Sequence, residues 1–298
     1  GTGFNGSHLT DAHMAAGDDV TILDDLSTGR RENVPAGARL VVADLRDGDN
    51  VRSLVNEVRP EVVSHQAAQA SVSVSVREPI RDAEINVIGG LHLLHACRDV
   101  GTVDVFVFAS TGGAIYGEVA EGRQARVGDE RHPDSPYAVH KAAFEDLLRI
   151  LGPDAVGRAV VLRYANVYGP RQRGDGEAGV VAIFRDALRE GRPLRLFGRQ
   201  APGDGGCIRD YVHVSDVVRA HQVAVSNSAF PSVSNIATGI GTGTADLLHA
   251  MERHMGAARS IAQAPPRAGD LQRSVLTPGP AFAPVVELAA GLETVIRD

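Results

Sequence analysis

Short, β-rich apolar runs alternate along the first half of this chain with stretches whose apolar residues recur at helical spacing. VTIL (20–23), ARLVVADLRD (38–47), PEVVSH (60–65) and VDVFVFAS (103–110) read as strands. Between them lie a segment running from the opening GTGFNGSHL to a stop at Gly17, and a segment over 83–99, both with helical periodicity. VVLRYANVYGP (160–170) supplies a further strand. Strands that alternate with helices in this way predict an α/β fold with a doubly wound parallel sheet, the fully apolar runs being strands buried on both faces.

The clearest helical stripe lies over 136–151. Ala142, Ala143, Phe144, Leu147, Leu148 and Leu151 share one face, Ser135 is placed to cap, and Pro136 suits the first turn. On such a helix Tyr137 and Lys141, four residues apart, converge, so a phenol and an ammonium can act on one substrate atom. The strand before it ends at Ser110 and Thr111, which places hydroxyls where open α/β sheets keep their ligands. Tyr and Lys at this spacing are common on helices, so the pair gains meaning only from the rest of the chain.

Composition narrows the classes. The 298 residues are 43% hydrophobic and 22% charged, as in soluble globular proteins, and the net charge of −7 offers no basic stripe for nucleic acid. The two cysteines, Cys97 and Cys207, form neither a disulfide framework nor a thiolate metal site, which fits a reducing cytoplasm. No run is long and apolar enough to span a bilayer and no signal peptide opens the chain. His92 and His95 lie one turn apart without further ligands nearby, so no metal is expected.

The opening residues Gly1, Gly3 and Gly6 spell GxGxxG, the turn that brings a pyrophosphate to a helix N-terminus, and its own preceding strand is expected ahead of Gly1. Asp24, at the carboxyl end of the next strand, can accept hydrogen bonds from a ribose and would repel a 2′-phosphate, which favours NAD over NADP despite Arg30 and Arg31 close by. Asp44 ends the following strand, placed to approach an adenine edge. The small residues of HQAAQASV let backbone come close to a cofactor.

Together, GTGFNGSHL, Asp24, HQAAQASV, STGGAIYGE and YAVHK resemble the extended short-chain dehydrogenase/reductase superfamily, specifically the UDP-glucose 4-epimerase-like, NAD-dependent nucleotide-sugar epimerases and dehydratases. The resemblance runs essentially end to end. It implies a Rossmann-type sheet over 1–166, with 211–240 returning to it, and a smaller nucleotide-sugar-binding region over 167–210 and 241–298. NAD would be met by Gly3, Phe4, Asn5, Gly6, Asp24, Asp44, Leu45, Ala67, Ala68, Tyr137, Lys141 and Tyr164. The catalytic set would be Tyr137, Lys141 and Thr111, with Ser110 as understudy. For a UDP-sugar, the resemblance implies Asn166 and Arg209 at the phosphates, Phe197 beside the uracil, Arg267 and Asp270 at the pyrophosphate and ribose, and Thr111, Arg173, Gly179 and Val180 as further contacts. It also implies a homodimer formed by the helices around 86–99 and 136–151.

The implied reaction is inversion at C4 through a 4-keto intermediate. Related 4,6-dehydratases carry an Asp-Glu pair after the threonine, an acid and a base for eliminating water; Gly112 and Gly113 stand there in this chain. GEAGVVAIF (176–184) resembles the UDP-glucose/UDP-galactose group. GPRQR (169–173) resembles the uronate epimerases, in which an arginine at the place of Arg173 meets a C6 carboxylate, so both substrates stay open. A reductase, a decarboxylase and a dinucleotide sensor without turnover are the other readings. Three departures from the family pattern stand out: the first strand and the first family glycine are missing, Asn5 stands where an apolar residue is usual, and the tail, TPGPAFAPVVELAAGLE, is several residues shorter than related ones, so further residues are expected at both ends.

Overall fold

A computed structural model describes residues 1–174, 179–267 and 269–298. In chain order the elements are α1 Phe4–Ala16, β1 Thr21–Asp24, β2 Arg39–Val42, α2 Gly48–Val58, β3 Val62–His65, α3 Val72–Arg77, α4 Pro79–Ala83, a π-helical stretch Glu84–Gly89, α5 Gly90–Val100, β4 Val105–Thr111, α6 Gly112–Ile115 and α7 Pro136–Ala155. There follow β5 Arg158–Tyr164, β6 Asn166–Tyr168, α8 Val180–Glu190, β7 Leu194–Phe197, β8 Ile208–His213, α9 Val214–Ser226, β9 Val233–Ile236, β10 Gly241–Gly243, α10 Thr244–Met255, β11 Ile261–Ala264, β12 Arg273–Ser274 and α11 Leu288–Arg297. This is the α/β, Rossmann-type architecture read from the alternation of strands and helices.

The chain divides into two compact units. The first comprises Gly1–Ser110, Ser135–Leu162 and Val218–Val233. Its parallel strands fall into two hydrogen-bonded sets: β1 pairs with β2 in register Asp24 to Val42, and β3 pairs with β4 in register His65 to Phe108, within a sheet of order β3-β4-β5-β9. Every residue of β4 is buried, which is why its sequence shows no polar alternation. Phe106, Val107 and Phe108 are wholly shielded, and burial of each such side chain contributes roughly 1.5–3 kcal/mol. The two phenylalanines meet Leu94, Phe144 and Leu148 from the helices in one core.

Helix α7 is the element that carries chemistry. Ser135 Oγ accepts from the Ala138 amide at 3.2 Å, and Pro136 occupies the first turn, where its missing N–H costs nothing. Phe144 and Leu148 face the core, and α7 packs against α3, α4, α5 and the π stretch. The segment expected as one helix over 83–99 is instead a π turn leading into α5. The extra residue of a π turn re-aims the side chains that follow, and periodicity alone does not report it.

The second unit comprises Thr111–Asp134, Arg163–Val217 and Ser234–Asp298. Here β8 pairs in parallel with β6 and β12 and antiparallel with β10, while β7 pairs in parallel with β11. Tyr168, Phe184, Leu247, Leu248, Met251 and Leu292 form its core. The run 160–170 reads as one strand but breaks at Ala165, so Asn166 opens β6 and pairs with Tyr211.

Candidate active site

Within the first unit, α1 begins at Phe4 with Gly3 at its N-cap. No side chain caps that end and no acidic residue lies in the first turn. The leading amide N–H groups of the helix and its dipole are therefore left to an anion. Gly6 is required on steric grounds, because a β-carbon there would stand 2.9 Å from the Gly1 carbonyl oxygen. Asn5 Oδ1 is buried without a hydrogen-bond partner, a cost that the usual apolar residue would not incur.

Asp24 closes β1, with its Oδ1 accepting from the Leu26 amide at 2.9 Å and its Oδ2 from the Thr2 amide at 2.7 Å. Burial pushes this carboxyl up, but the hydrogen bonds from the amides of Thr2 and Leu26 work against it, and the group is held below its ordinary value. It stays ionised and has lone pairs left for a diol. Asp44 lies two residues past the end of β2 and is gripped by Arg46, whose Nη2 is 2.6 Å away and whose Nε is 3.0 Å away. The Arg46 hydrogen bonds hold its carboxyl low. Leu45 is buried, and its carbonyl meets His92 Nδ1 at 3.1 Å. Ala67 and Ala68 follow β3 in irregular, half-buried backbone. The arrangement suits an anionic group at the start of α1 together with a ribose beside Asp24.

On α7, Tyr137 is half-buried and Lys141, one turn on, is 2% exposed. Lys141 Nζ sits over the Phe108 ring, 4.4 Å from its centroid. Burial pulls its ammonium down to about 7, while the charges of Glu145 and Asp82 pull the other way. Lys141 is also the single lysine of a chain with 30 Lys and Arg residues; every other one is arginine. A guanidinium cannot be tuned toward neutrality and an ammonium can, so the one exception falls where tuning is useful. That signal was available in the sequence and weighs against a chance Tyr-Lys pairing.

Spacing did not point to the buried polar contacts around α7. Ser110 Oγ donates to Glu145 Oε1 at 2.5 Å. Asp82, wholly buried, accepts from Gln69 Nε2 at 2.5 Å and lies 2.6 Å from His140 Nδ1. Ser110, expected as an alternative catalytic hydroxyl, thus directs its proton to Glu145.

In the second unit, Thr111 ends β4 at 8% exposure, and no side-chain partner for its hydroxyl is found among the described residues. Gly112 follows in a tight place: a β-carbon there would lie 2.3 Å from Leu276 Cδ1 and 3.1 Å from the Arg163 carbonyl oxygen. A β-carbon on Gly113 would lie 3.3 Å from Asn166 Oδ1. Arg163, buried, donates to Tyr116 Oη at 2.7 Å, and Tyr116 donates on to Asn235 Oδ1 at 2.8 Å, a network that fixes the segment after Gly113. Tyr164 is buried at the end of β5.

Of the remaining residues, Phe197, Arg267 and Asp270 come together. Arg267 covers the Phe197 ring at 4.4 Å and pairs with Asp270 at 3.1 Å. Arg209 donates to the Leu271 carbonyl at 2.6 Å, which ties it to the chain just after Asp270. Gly179, at φ +89°, precedes the first residue of α8, Val180. The start of GEAGVVAIF, 176–178, lies outside the described residues. Arg173 is exposed in the loop ahead of it.

A family model described as the NAD dependent epimerase/dehydratase family matches residues 1–237. The crystal structure of the UDP-glucose 4-epimerase of Thermus thermophilus in complex with NAD is 48% identical, covers 99% of this chain and 96% of its own, and superposes with a TM-score of 0.95. The UDP-glucose 4-epimerase of Thermotoga maritima with UDP-glucose is 40% identical over 100% of this chain and 96% of its own, with a TM-score of 0.93. The UDP-glucose 4-epimerase of Mycolicibacterium smegmatis is 40% identical over 99% of this chain and 95% of its length.

Proposed function

The chain belongs to the NAD-dependent epimerase/dehydratase family, and from that premise we propose that it is an NAD-dependent isomerase that inverts C4 of a UDP-sugar, with UDP-glucose and UDP-galactose as the pair it interconverts. The observation that carries this reading is the pairing on α7 of Tyr137 with a buried, tunable Lys141, the only lysine present. Relatives named UDP-glucose 4-epimerase support the choice of sugar.

The residues present fit NAD. The uncapped start of α1 suits a pyrophosphate, and the ionised Asp24 suits an unphosphorylated ribose. What NAD supplies when bound is a reversible hydride acceptor for the sugar carbon. Tyr137 removes the proton of the 4-hydroxyl as C4 is oxidised, and returns it when C4 is reduced from the other face. A phenol titrates at about 10, so the reaction near neutral pH needs a cation to favour the phenolate, the role of Lys141. Thr111 orients the 4-oxygen. Asn166, Arg209, Phe197, Arg267 and Asp270 hold the UDP portion, with guanidinium groups matched to phosphate oxygens. We assign the cofactor to the first unit and the nucleotide sugar chiefly to the second.

Dehydration finds no catalysts at 112 and 113, where glycines stand, and a β-carbon on residue 112 would crowd Leu276 Cδ1 at 2.3 Å. UDP-glucuronate is the second reading, favoured by an arginine, Arg173, in the loop before α8. Two copies of the chain are proposed to pair through the outer faces of α7 and the π-α5 segment, where Ile88, Val139 and Ile150 are exposed. Among the described residues no helix is long and apolar enough to cross a membrane, and the cytoplasm is the proposed compartment. The test is whether UDP-glucose is converted to UDP-galactose without net NADH.

A further inference from the structure

In the loop between β6 and α8, two consecutive residues are tied down by side chains from two different helices. Arg171 sits at φ +64°, a left-handed conformation that a residue with a side chain keeps only where its surroundings impose it. Its amide donates to Oδ2 of Asp298, the residue that follows α11, at 2.8 Å. The carbonyl of Gln172 accepts from Arg185 Nη2 at 3.0 Å, and the Gln172 side chain donates to the Val167 carbonyl at 3.0 Å. Gly174 lets the chain come close to α8, since a β-carbon there would stand 2.7 Å from the Ala182 carbonyl oxygen and 2.5 Å from Asp186 Oδ2.

Arg185, on α8, is 7% exposed and directs its donors three ways: Nε to Asp186 Oδ1 at 2.7 Å, Nη1 to Asp298 Oδ2 at 3.4 Å, and Nη2 to the Gln172 carbonyl. A guanidinium is buried at a cost unless its N–H groups meet acceptors and its charge meets a carboxylate, and here both conditions hold. The planar fork reaches acceptors in several directions, which the point charge of an ammonium does not. A tie between α8 and α11 does not need this arrangement. Arg189, one turn along α8, supplies such a tie with Nη2 on the Ile296 carbonyl at 2.5 Å, and among the described residues it makes no hydrogen bond to the loop.

We propose that Arg185 and Asp298 are positioning residues that hold the backbone of 170–173 in one conformation, so that the nucleotide sugar meets a preset loop and none of its binding energy goes into ordering it. The inference deepens the epimerase reading and rests on it for the claim that this loop, which follows Asn166 and carries Arg173, faces the sugar nucleotide.

Amide hydrogen exchange, followed residue by residue by NMR on the full chain, reads the loop without any turnover. Arg185→Met keeps an unbranched stem and removes the guanidinium, and Asp298→Ala removes the acceptor that Arg171 and Arg185 share. Each is expected to speed exchange at Arg171 roughly tenfold and to raise KM for UDP-glucose by about three- to tenfold, with kcat within about twofold and NAD affinity unchanged. Asp298→Asn retains an oxygen for the Arg171 amide and is expected to restore most of both. Arg189→Ala is expected to lower stability while leaving exchange at Arg171 and KM as in wild type. Unchanged exchange at Arg171 in both Arg185→Met and Asp298→Ala overturns the proposal. Faster exchange with an unmoved KM overturns it too, as does an equal rise of KM in Arg189→Ala. If Arg185→Met does not fold, Asp298→Ala decides, because the Asp298 side chain is 33% exposed and its loss leaves the core intact. Faster exchange in a protein that epimerises no UDP-sugar leaves the loop contacts standing and removes the epimerase reading, so the two fail separately.

Discussion

Gly112 packs against Leu276 so closely that a β-carbon on residue 112 would stand 2.3 Å from Leu276 Cδ1. Backbone carbonyls of Arg163 and Tyr164 would stand 3.1 and 3.3 Å from the same β-carbon, so a side chain there must displace the leucine tip and also press on backbone. Gly112→Asp is therefore expected to destabilise the fold by about 1–3 kcal/mol and to yield no 4-keto-6-deoxy product. Denaturant unfolding and product analysis check this. Unchanged stability would show that the site is roomier than the geometry says.

Tyr137→Phe keeps the ring and the helix and removes the proton carrier. It is expected to retain NAD and UDP-sugar binding while losing roughly 10²- to 10⁴-fold in turnover. Calorimetry and steady-state rates separate the two effects; near wild-type turnover would remove Tyr137 from the chemistry.

The fold was readable wherever the cause is local. Ser135 and Pro136 announce the start of α7, and the unbroken apolar run through Phe108 announces a strand buried on both faces. Asp24 stands where the spacing from the glycines put it. What was not readable depends on partners distant in sequence. The bond between Ser110 and Glu145 spans 35 residues and that between Asp82 and His140 spans 58, so no window of sequence contains either pair. The break at Ala165 is of the same kind, since β6 exists by pairing with β8. The lysine count was local information, visible in the composition once arginine and lysine are counted apart.

Two buried histidines are expected to contribute to the response of the fold to acid. His65 is buried against Phe106, Phe108 and Phe144, and His221 is buried with Nε2 2.8 Å from Ser64 Oγ. Burial drives both down to about 3. Their folded values lie below the unfolded value of about 6.5, so the stability they permit is complete above that pH and is lost as pH falls toward 3. Each is expected to cost half of roughly 1.4 kcal/mol per pH unit at pH 6.5, rising to roughly the full 1.4 kcal/mol per unit by pH 5. His65→Phe, which keeps an aromatic ring in the stack, should flatten that slope by about half in denaturant titrations. An unaltered slope would place the acid sensitivity elsewhere.

Arg173→Gln distinguishes the two sugars. If glucuronate is the substrate, loss of the guanidinium is expected to cost UDP-glucuronate turnover at least roughly tenfold, the order of one charge-assisted bond, while UDP-glucose turnover is little changed. Equal losses with both sugars would leave UDP-glucose and UDP-galactose as the pair.

The central claim is inversion at C4 of a UDP-sugar without net oxidation, and product identification by NMR tests it most directly. The protein, supplied with NAD, is incubated separately with UDP-glucose, UDP-glucuronate and UDP-N-acetylglucosamine, and the sugar ring couplings are followed with time. The expected result is conversion of UDP-glucose to UDP-galactose, with no accumulation of NADH and no carbon dioxide released. Failure to form a 4-epimer from any of the three sugars would contradict the account.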